Sequence, residues 1–484
     1  MDSWVVEVLK SGYVIPFHTL PPLSQTPVSH ESYSLGSVKG EALEGEIQAL
    51  RQKGAIEPAP PTSGYYSRMF VVPKATGGWR PIIDLSVLNH SVVKTRFHME
   101  TTQSVLRSIR RNDWMVSIDL KDAYLQVPMS VQSRRYLRFV AGGRAWQFRV
   151  LCFGLTTAPQ VFTRIMAPVS AILHELGVRI LRYLDDWLIL ASSEEEAIQA
   201  RDKVLDLCAE LGIVVNLKKS HLIPSQTATY LGVDINTVTF TASPTLLRIQ
   251  KFWSIAEEFL SSREQSATFW RVLLGHLASL AYLVPGGRLR MRALQLALKR
   301  GWNFQDDLVK VMWDDACRED LLWWCAEGRL LAGISLVQDQ PDQMFWSDAS
   351  DAGWGANLAD RFVSGIWSAE EALLSINARE LLAVEKGLLA FQDCLCGRVV
   401  AVFCDNTTAV SYLRRQGGTH SPLLNSLAQR VLRWAEEMRI SLLPQFVMGA
   451  HNVVADSLSR PNQVVGSEWT LSMEVFKEMR RGGW

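Results

Sequence analysis

The sequence predicts an α+β multidomain protein, on three observations. Its 484 residues exceed the usual size of one domain, and a hydrophobic fraction of 48% is enough to build several packed cores. Strand-like and helix-like stretches mix without strict βαβ alternation as far as about residue 240. After a polar break, QDQPDQ at 338–343, a second series reads βββαβα with further helix and strand, an α/β unit of ordinary domain size.

Residues 1–40 are rich in Pro, Ser and Gly and read as an extended arm that would order only by docking onto something else. EALEGEIQALRQKG at 41–54 combines helix formers, apolar spacing and a Gly stop, and PAPPTSG loops out after it. RMFVVPK and WRPIIDL flank a Gly-Gly turn at 77 and 78, a hairpin signature. VSIDL (116–120) is an apolar strand ending in an acid, AWQFRVL (145–151) is another strand, and APQVFTRIMAPVSAILHEL (158–176) is an amphipathic helix. The 193–212 segment places Ala197, Ala200, Val204, Cys208 and Leu211 on one stripe, with acids in its first turn where the helix dipole favours them. That helix should pack on a sheet. Residues 244–340 read as mostly helical and include a basic run, GGRLRMRALQLALKR at 286–300. Beyond the polar break come strands MFWSDAS, WGANLA and FVSGIWS, helix NARELLAVEKGLLAFQ and strand VVAVFCD. Helices then run through 438, followed by strand SLLPQFVMG and a short final helix.

The chemistry concentrates in acids. ILRYLDDWLILAS (180–192) sets Asp185 and Asp186 between two apolar runs that are too short for a helix and rich in β-branched and aromatic residues. It reads as strand, tight turn, strand, with both carboxylates at the tip. Asp119 closes an apolar strand upstream; alone, an acid at a strand end is ordinarily a turn or cap residue. If it meets the pair, each two charges about 4 Å apart repel by roughly 4 kcal/mol at an effective dielectric near 20. Three converging carboxylates therefore need protons or bridging cations. Divalent metal is the natural resolution: hard oxygen ligands suit Mg²⁺, and a two-metal site can activate a 3′-hydroxyl and stabilise a leaving pyrophosphate.

Tyr-Leu-Asp-Asp at 183–186, with Asp119 to Tyr124 as D-x-x-x-A-Y, closely resembles the reverse transcriptases. Four more stretches fit that family in order: VVPKATGGWRPIIDLSVLN (71–89), LCFGLTTAPQVF (151–162), LGIVVNLKKSHL (211–222) and YLGVDI (230–235). The resemblance implies a right-hand polymerase, with fingers and palm over 41–240 and a helical thumb and connection over 241–340. It also implies that Asp119, Asp185 and Asp186 bind metal and that Lys74 and Arg80 hold the incoming triphosphate, work suited to a point charge and a forked guanidinium. Tyr124 would be the aromatic gate that excludes a 2′-hydroxyl, Phe153 and Gly154 the template and nucleotide contact, and Lys219 the proton donor to pyrophosphate. Tyr230 to Gly232 would grip the primer.

Asp348, Glu380, Asp405 and Asp456 resemble the four carboxylates of ribonuclease H, another two-metal hydrolase. A C-terminal ribonuclease H-like α/β domain over 341–462 is implied, followed by a tail at 463–484. His451 directly precedes Asn452, so the longer loop that carries a histidine in many ribonucleases H is not expected here. The blocks NARELLA, CDNTTAVSYLRRQGGTHSPLL and HNVVADSLSR are similar to DIRS-type retrotransposons, and related blocks occur in gypsy-type and plant pararetrovirus polymerases. The implied activity is RNA-directed and DNA-templated DNA synthesis coupled to cleavage of RNA in RNA:DNA hybrids, for retrotransposon replication. It would use two Mg²⁺ or Mn²⁺ ions per active site, with RNA template, DNA primer, RNA:DNA hybrid and deoxynucleoside triphosphates as partners. Arg288, Arg290, Arg292, Lys299 and Arg300 would either face template-primer phosphates or form a solvated helix face. The rival reading is a decayed or host-adopted copy that only binds nucleic acid. Loss of a metal ligand would mark it, and all seven acids are present.

Composition narrows the rest. Lys plus Arg total 50 against 49 Asp plus Glu, so a polyanion must be held by local patches. Seven scattered cysteines lack zinc-site spacing and read as reduced thiols of an intracellular protein, in cytoplasm or nucleus. No 18 apolar residues run together, so no membrane span or secretion is expected. D-T-G and D-S-G protease motifs and recombinase or integrase signatures are missing, as expected for a module of a larger element.

Overall fold

The structure, a computed structural model, describes residues 2–30, 33, 36–74 and 77–460; the expected tail at 463–484 lies outside them. The chain forms two compact units, one ending at Phe240 and one starting at Thr241. Among the described residues no helix is long and apolar enough to cross a membrane.

The first unit is built on a four-stranded antiparallel sheet ordered Arg179–Tyr183, Asp186–Ala191, Trp114–Asp119, His221–Ser225. Val116, Ile118, Trp187, Leu188 and Ile189 are fully buried in it, which explains why these strands read as near-continuous apolar runs. Helices Ala158–Glu175 and Glu194–Glu210 lie against it. The second of these buries Ala197, Ala200, Val204 and Cys208 as their spacing requires, whereas Leu211 falls just past the helix and is exposed. The Gly-Gly hairpin forms as Met69–Pro73 against Trp79–Ile83, in the register Val72 opposite Arg80.

The N-terminal segment differs from the expected extended arm. Ser3–Ser11 is a helix capped by Asp2, whose carboxylate accepts from Trp4 N at 3.0 Å and pairs with Arg164 at 2.9 Å. Val5, Val8, Tyr13 and Ile15 are buried, and bridges Tyr13 to Met129 and Ser24 to Gly64 stitch the segment onto the same unit. The docking partner of the Pro-rich stretch is thus the body of its own unit. The helix at 41–54 starts earlier than its apolar pattern suggests, at Val38, because Ser37 caps it.

The second unit holds two cores. Helices Leu246–Leu260, Ala267–Leu280, Arg292–Gly301 and Asp315–Cys325 pack Phe252, Trp270, Leu277, Leu294 and Trp324 together. After them comes a five-stranded sheet ordered Arg361–Ile366, Gly353–Leu358, Gln343–Ala349, Val399–Cys404, Ser441–Phe446, with the first three strands antiparallel and the last two joined in parallel. Helix Ile376–Ala390 covers one face so closely that a Cβ on Gly387 would lie 2.6 Å from the Ala356 Cβ. Helix Val453–Ser459 sits over Gly355, where a Cβ would lie 2.4 Å from the Leu458 Cβ and 2.6 Å from the Ala455 carbonyl oxygen.

That close approach sets a test. Gly355→Ala should destabilise the second unit by about 1–3 kcal/mol through overpacking against the last helix. Gly275→Ala, in a helix and with nothing within 4 Å of the added methyl, should stabilise by up to about 1 kcal/mol. Denaturant unfolding of both variants checks the sign of each change.

Candidate active sites

In the first unit, the register of the sheet assembles the site. Asp119, the last residue of its strand, lies directly opposite Asp186, the first residue of the next strand, and Asp186 in turn pairs with Tyr183 across the hairpin. Leu184 and Asp185 form the turn; Leu184 takes a left-handed φ of 56°, and its carbonyl accepts from the Trp187 indole at 3.1 Å. The turn is pinned from below by Leu120 N donating to Asp185 O at 2.8 Å and by the buried Tyr230 hydroxyl donating to Asp186 O at 2.7 Å. Asp119 is held by its own backbone: its N–H donates to Ser220 Oγ at 3.0 Å and its carbonyl accepts from Asn216 N at 2.8 Å.

The electrostatics follow from that crowding. Burial, then the charges of Asp185 and Asp119, push the Asp186 carboxyl up to about 6, and burial with the Asp119 charge also raises Asp185. The Lys219 ammonium, 3.8 Å from Asp119 Oδ2, works against both shifts. Asp119 and Asp185 share a cleft of about 490 Å³ with Lys74, Arg80, Phe153 and Lys219. Lys74 and Arg80 stand exposed on the Gly-Gly hairpin, so two cations face the acids across the cleft. Such a cluster fits divalent cations: the carboxylates are close and poorly solvated, and the nearby Lys219 and Arg80 charges do not undo the upward shifts of Asp185 and Asp186.

Tyr124 is buried beside this cleft, its ring 4.9 Å from Phe153 and 5.7 Å from Phe162, and burial together with the Asp185 charge pushes its phenol up to about 12. Gly154 has φ 99°, and a Cβ there would stand 2.7 Å from the Ile83 carbonyl oxygen. Asn89 clamps this turn, donating to Gly154 O at 2.8 Å and accepting from Thr156 N at 2.9 Å. Asn89 and Ser220 support the site through side chains bound to backbone, and Asn216 through its main-chain N–H; their roles went unremarked in the sequence because neutral groups bound to backbone leave no charge pattern. Tyr230, in the 230–232 stretch expected to grip the primer, supports the dyad turn through its hydroxyl.

The second unit gathers its four acids at one end of its sheet. Asp348 lies at the end of the central strand, Glu380 in the covering helix, Asp405 just past strand Val399–Cys404 and Asp456 in the last helix. Ligand atoms of Glu380, Cys404 and Asp405 lie within 4.8 Å of one another. Burial, then Asp348 and Asp405, push Glu380 up to about 9; burial, with Asp405 and Asp456 adding, pushes Asp348 up to about 6. Asn452, another residue passed over in sequence, donates to Ser347 O at 3.0 Å and Asp348 Oδ1 at 3.3 Å. Asp456 pairs with Arg460 at 2.6 Å, and His451 is exposed.

The basic run does not present a free row of charges. Arg290 pairs with Glu436 at 2.9 Å, Lys299 donates to Thr419 O at 2.7 Å and Arg300 pairs with Asp314 at 3.2 Å. Arg292 donates to the carbonyls of Gln416 and Arg415. Four of the five cations are therefore used to join segments of the second unit, although Lys299 and Arg300, like Arg288, remain exposed to solvent.

Residues 72–235 match the family described as reverse transcriptase (RNA-dependent DNA polymerase). The chain is homologous to pararetroviral and gypsy Pol polyproteins. It is 25% identical over 468 residues to the genome polyprotein of Petunia vein clearing virus, covering 93% of the chain and 20% of the relative. With the enzymatic polyprotein of Figwort mosaic virus it shares 25% over 464 residues, 91% of the chain and 64% of the relative. With the Pol polyprotein of transposon gypsy from Drosophila melanogaster it shares 24% over 484 residues, 93% of the chain and 43% of the relative. The chain thus spans from a fifth to somewhat under two thirds of these relatives. Its fold is that of a right-hand polymerase: foamy viral protease-reverse transcriptase in complex with dsDNA superposes with a TM-score of 0.55 at 18% identity, over 90% of both chains.

The raised Asp186 carboxyl makes a signed prediction. A carboxylate whose folded pKa is lifted from 3.8 to about 6 stabilises the metal-free fold below 3.8, and that stability is lost as pH rises through about 6. In EDTA, Asp186→Asn should therefore unfold at a higher temperature than wild type at pH 7.5, and the gap should close at pH 4. Mg²⁺ or Mn²⁺ should stabilise the wild type at pH 7.5 more than the variant. Scanning calorimetry across pH, with and without the ion, reads all three effects.

Proposed function

We propose that this chain is an RNA-directed DNA polymerase, also able to copy DNA, coupled to a ribonuclease H that cleaves RNA in RNA:DNA hybrids. One observation carries the polymerase reading: strand register puts Asp119 opposite Asp186, with Asp185 at the adjoining tip, in a cleft that also contains Lys74, Arg80 and Lys219. Asp119, Asp185 and Asp186 would hold two Mg²⁺ or Mn²⁺ ions, which supply activation of the primer 3′-hydroxyl and neutralisation of the departing pyrophosphate. Lys74 and Arg80 receive the triphosphate from the hairpin side. Lys219, already beside Asp119, is placed to give a proton to the leaving pyrophosphate. Tyr124, braced by Phe153 and Phe162, offers a rigid ring edge against a 2′-hydroxyl, while Gly154 leaves backbone room for template and nucleotide.

The nuclease reading rests on Asp348, Glu380, Asp405 and Asp456 meeting at one sheet end. Four acids with little to neutralise them need cations, and a pair of Mg²⁺ or Mn²⁺ ions there would activate water against an RNA phosphodiester. Similarity to pararetroviral and gypsy polyproteins supports replication of a retroelement inside the cell, in cytoplasm or nucleus, and the blocks at 377–383, 404–424 and 451–460 favour the DIRS type.

On poly(rA)/oligo(dT) with Mg²⁺, wild type should extend primers and Asp185→Asn should lose at least roughly 100-fold in rate; equal incorporation by the two would refute the polymerase. Glu380→Gln should stop cleavage of a labelled RNA:DNA hybrid while primer extension continues at the wild-type rate. Tyr124→Val should raise ribonucleotide incorporation relative to deoxynucleotide, and unchanged discrimination would remove its role as gate.

A further inference from the structure

The two acid clusters differ in donor chemistry. The cleft of Asp119 and Asp185 has no cysteine among its lining residues, whereas the second cluster contains sulfur. Cys404 ends the strand that leads into Asp405, is fully buried, and puts its Sγ 3.6 Å from Glu380 Oε2. For tetrahedral zinc, with Zn–S near 2.3 Å and Zn–O near 2.1 Å, the separation of an S and an O ligand is about 3.6 Å. The thiol and carboxylate therefore already stand at the spacing such an ion requires, and Asp405 supplies a third donor within 4.8 Å of both.

Two further features call for a cation in this cluster. Glu380 is 4% exposed, and its carboxylate has no hydrogen-bond partner other than the Cys404 thiol among the described residues. In the same four-acid cluster Asn452, 1% exposed, donates its amide to Asp348, and its Oδ1 has no partner among the described residues. Thiolate ligands select Zn²⁺ and other soft or borderline ions over Mg²⁺, which prefers an all-oxygen shell.

We propose that Glu380, Cys404 and Asp405 form a mixed thiolate–carboxylate site that takes Zn²⁺ or Cd²⁺, and that its occupation blocks hybrid cleavage. On binding, the metal–sulfur bond forms as the thiol proton leaves to solvent; no electron is transferred. The ion then occupies two carboxylates that the hard-metal centre needs. The functional half of this inference rests on the nuclease reading; the binding half does not.

The test uses the full chain, stripped with EDTA and titrated with CdCl₂ while the ultraviolet thiolate-to-cadmium charge-transfer band is followed. Wild type should show a band that Cys404→Ser removes and that Glu380→Gln, which keeps the thiol, weakens by at least roughly 10-fold in affinity. Cleavage of a labelled hybrid in Mg²⁺ is then titrated with ZnCl₂, each enzyme's rate in Mg²⁺ alone being its own reference. Half-inhibition of Cys404→Ser should need at least roughly 10-fold more Zn²⁺ than wild type, and primer extension by the same preparations should tolerate that Zn²⁺. Thermal melts confirm that the variants fold. A cadmium band unchanged in Cys404→Ser overturns the site, as does a band equally strong in Glu380→Gln. Equal Zn²⁺ sensitivity of the two cleaving enzymes overturns the block. A wild type that cleaves nothing in Mg²⁺ or Mn²⁺ but shows the cadmium band removes the nuclease reading and leaves the metal site standing.

Discussion

Carboxylates held closer together than water would allow are the constraint on which both units turn. Asp186 raised to about 6 and Glu380 raised to about 9 describe groups that the fold crowds and dehydrates without supplying enough positive charge. A fold tolerates this only if the surrounding frame is stiff enough to resist the repulsion. In the first unit that stiffness is Trp187, Leu188 and Ile189 fully buried behind the dyad, with Arg179 clamped on the buried Asp113 at 2.8 Å at the far end of the hairpin. In the second it is two helices packed so close that neither Gly387, on helix Ile376–Ala390, nor Gly355, under helix Val453–Ser459, can carry a side chain without displacing its neighbours. Burial energy elsewhere holds the acids where solvation alone would separate them.

Backbone geometry, more than side-chain contact, aims the acids. Antiparallel register makes Asp119 and Asp186 opposite neighbours, and a one-residue slip would turn either to the other face. Hydrogen bonds guard that register at its end: Ser220 Oγ takes the Asp119 N–H, Asn216 N holds its carbonyl, and the Tyr230 hydroxyl holds the Asp186 carbonyl. All three leave the carboxylate oxygens free for a cation or substrate. Supporting groups that bind main chain can keep a ligand set rigid without competing for its lone pairs.

Much of this was legible in the sequence, for identifiable reasons. The hairpin around Asp185 and Asp186, the Gly-Gly hairpin and the helix at 158–176 each follow from periodicity bounded by turn residues, a local property. The helix at Ser3–Ser11 was hidden because the Pro- and Ser-rich composition after it dominated the reading of the whole arm, although Asp2 is an ordinary N-cap. Leu211 kept the helical spacing of its stripe but fell one residue past Glu210, the last residue of its helix. The basic run was harder to read for a different reason. Arginines on a helix look available until their partners are known, and the partners of Arg290 and Arg292, at Glu436 and Gln416, lie more than a hundred residues away. What depends on distant pairing, including the supports Asn89, Ser220 and Asn452, has no local signature to read.

The two clusters solve the same electrostatic problem with different donor sets, and the difference follows from where each acid sits. In the first unit every acid is at a strand end or turn tip: Asp119 and Asp186 are the last ladder pair, Asp185 is in the turn, and Asp119 and Asp185 line a cleft that hydrated ions and phosphates can fill. In the second, Glu380 reaches the sheet end from a helix on the face that also buries Cys404, so a carboxylate meets a thiol inside the core rather than in a cleft. Moving one ligand from a strand end to a covering helix therefore changes its neighbours from water and cations to the side chains of a packed layer. A residue chosen for packing, such as a cysteine at the end of a buried strand, then becomes part of the coordination chemistry. Metal preference at such a site is set partly by core composition, a property on which the positions of the acids alone are silent.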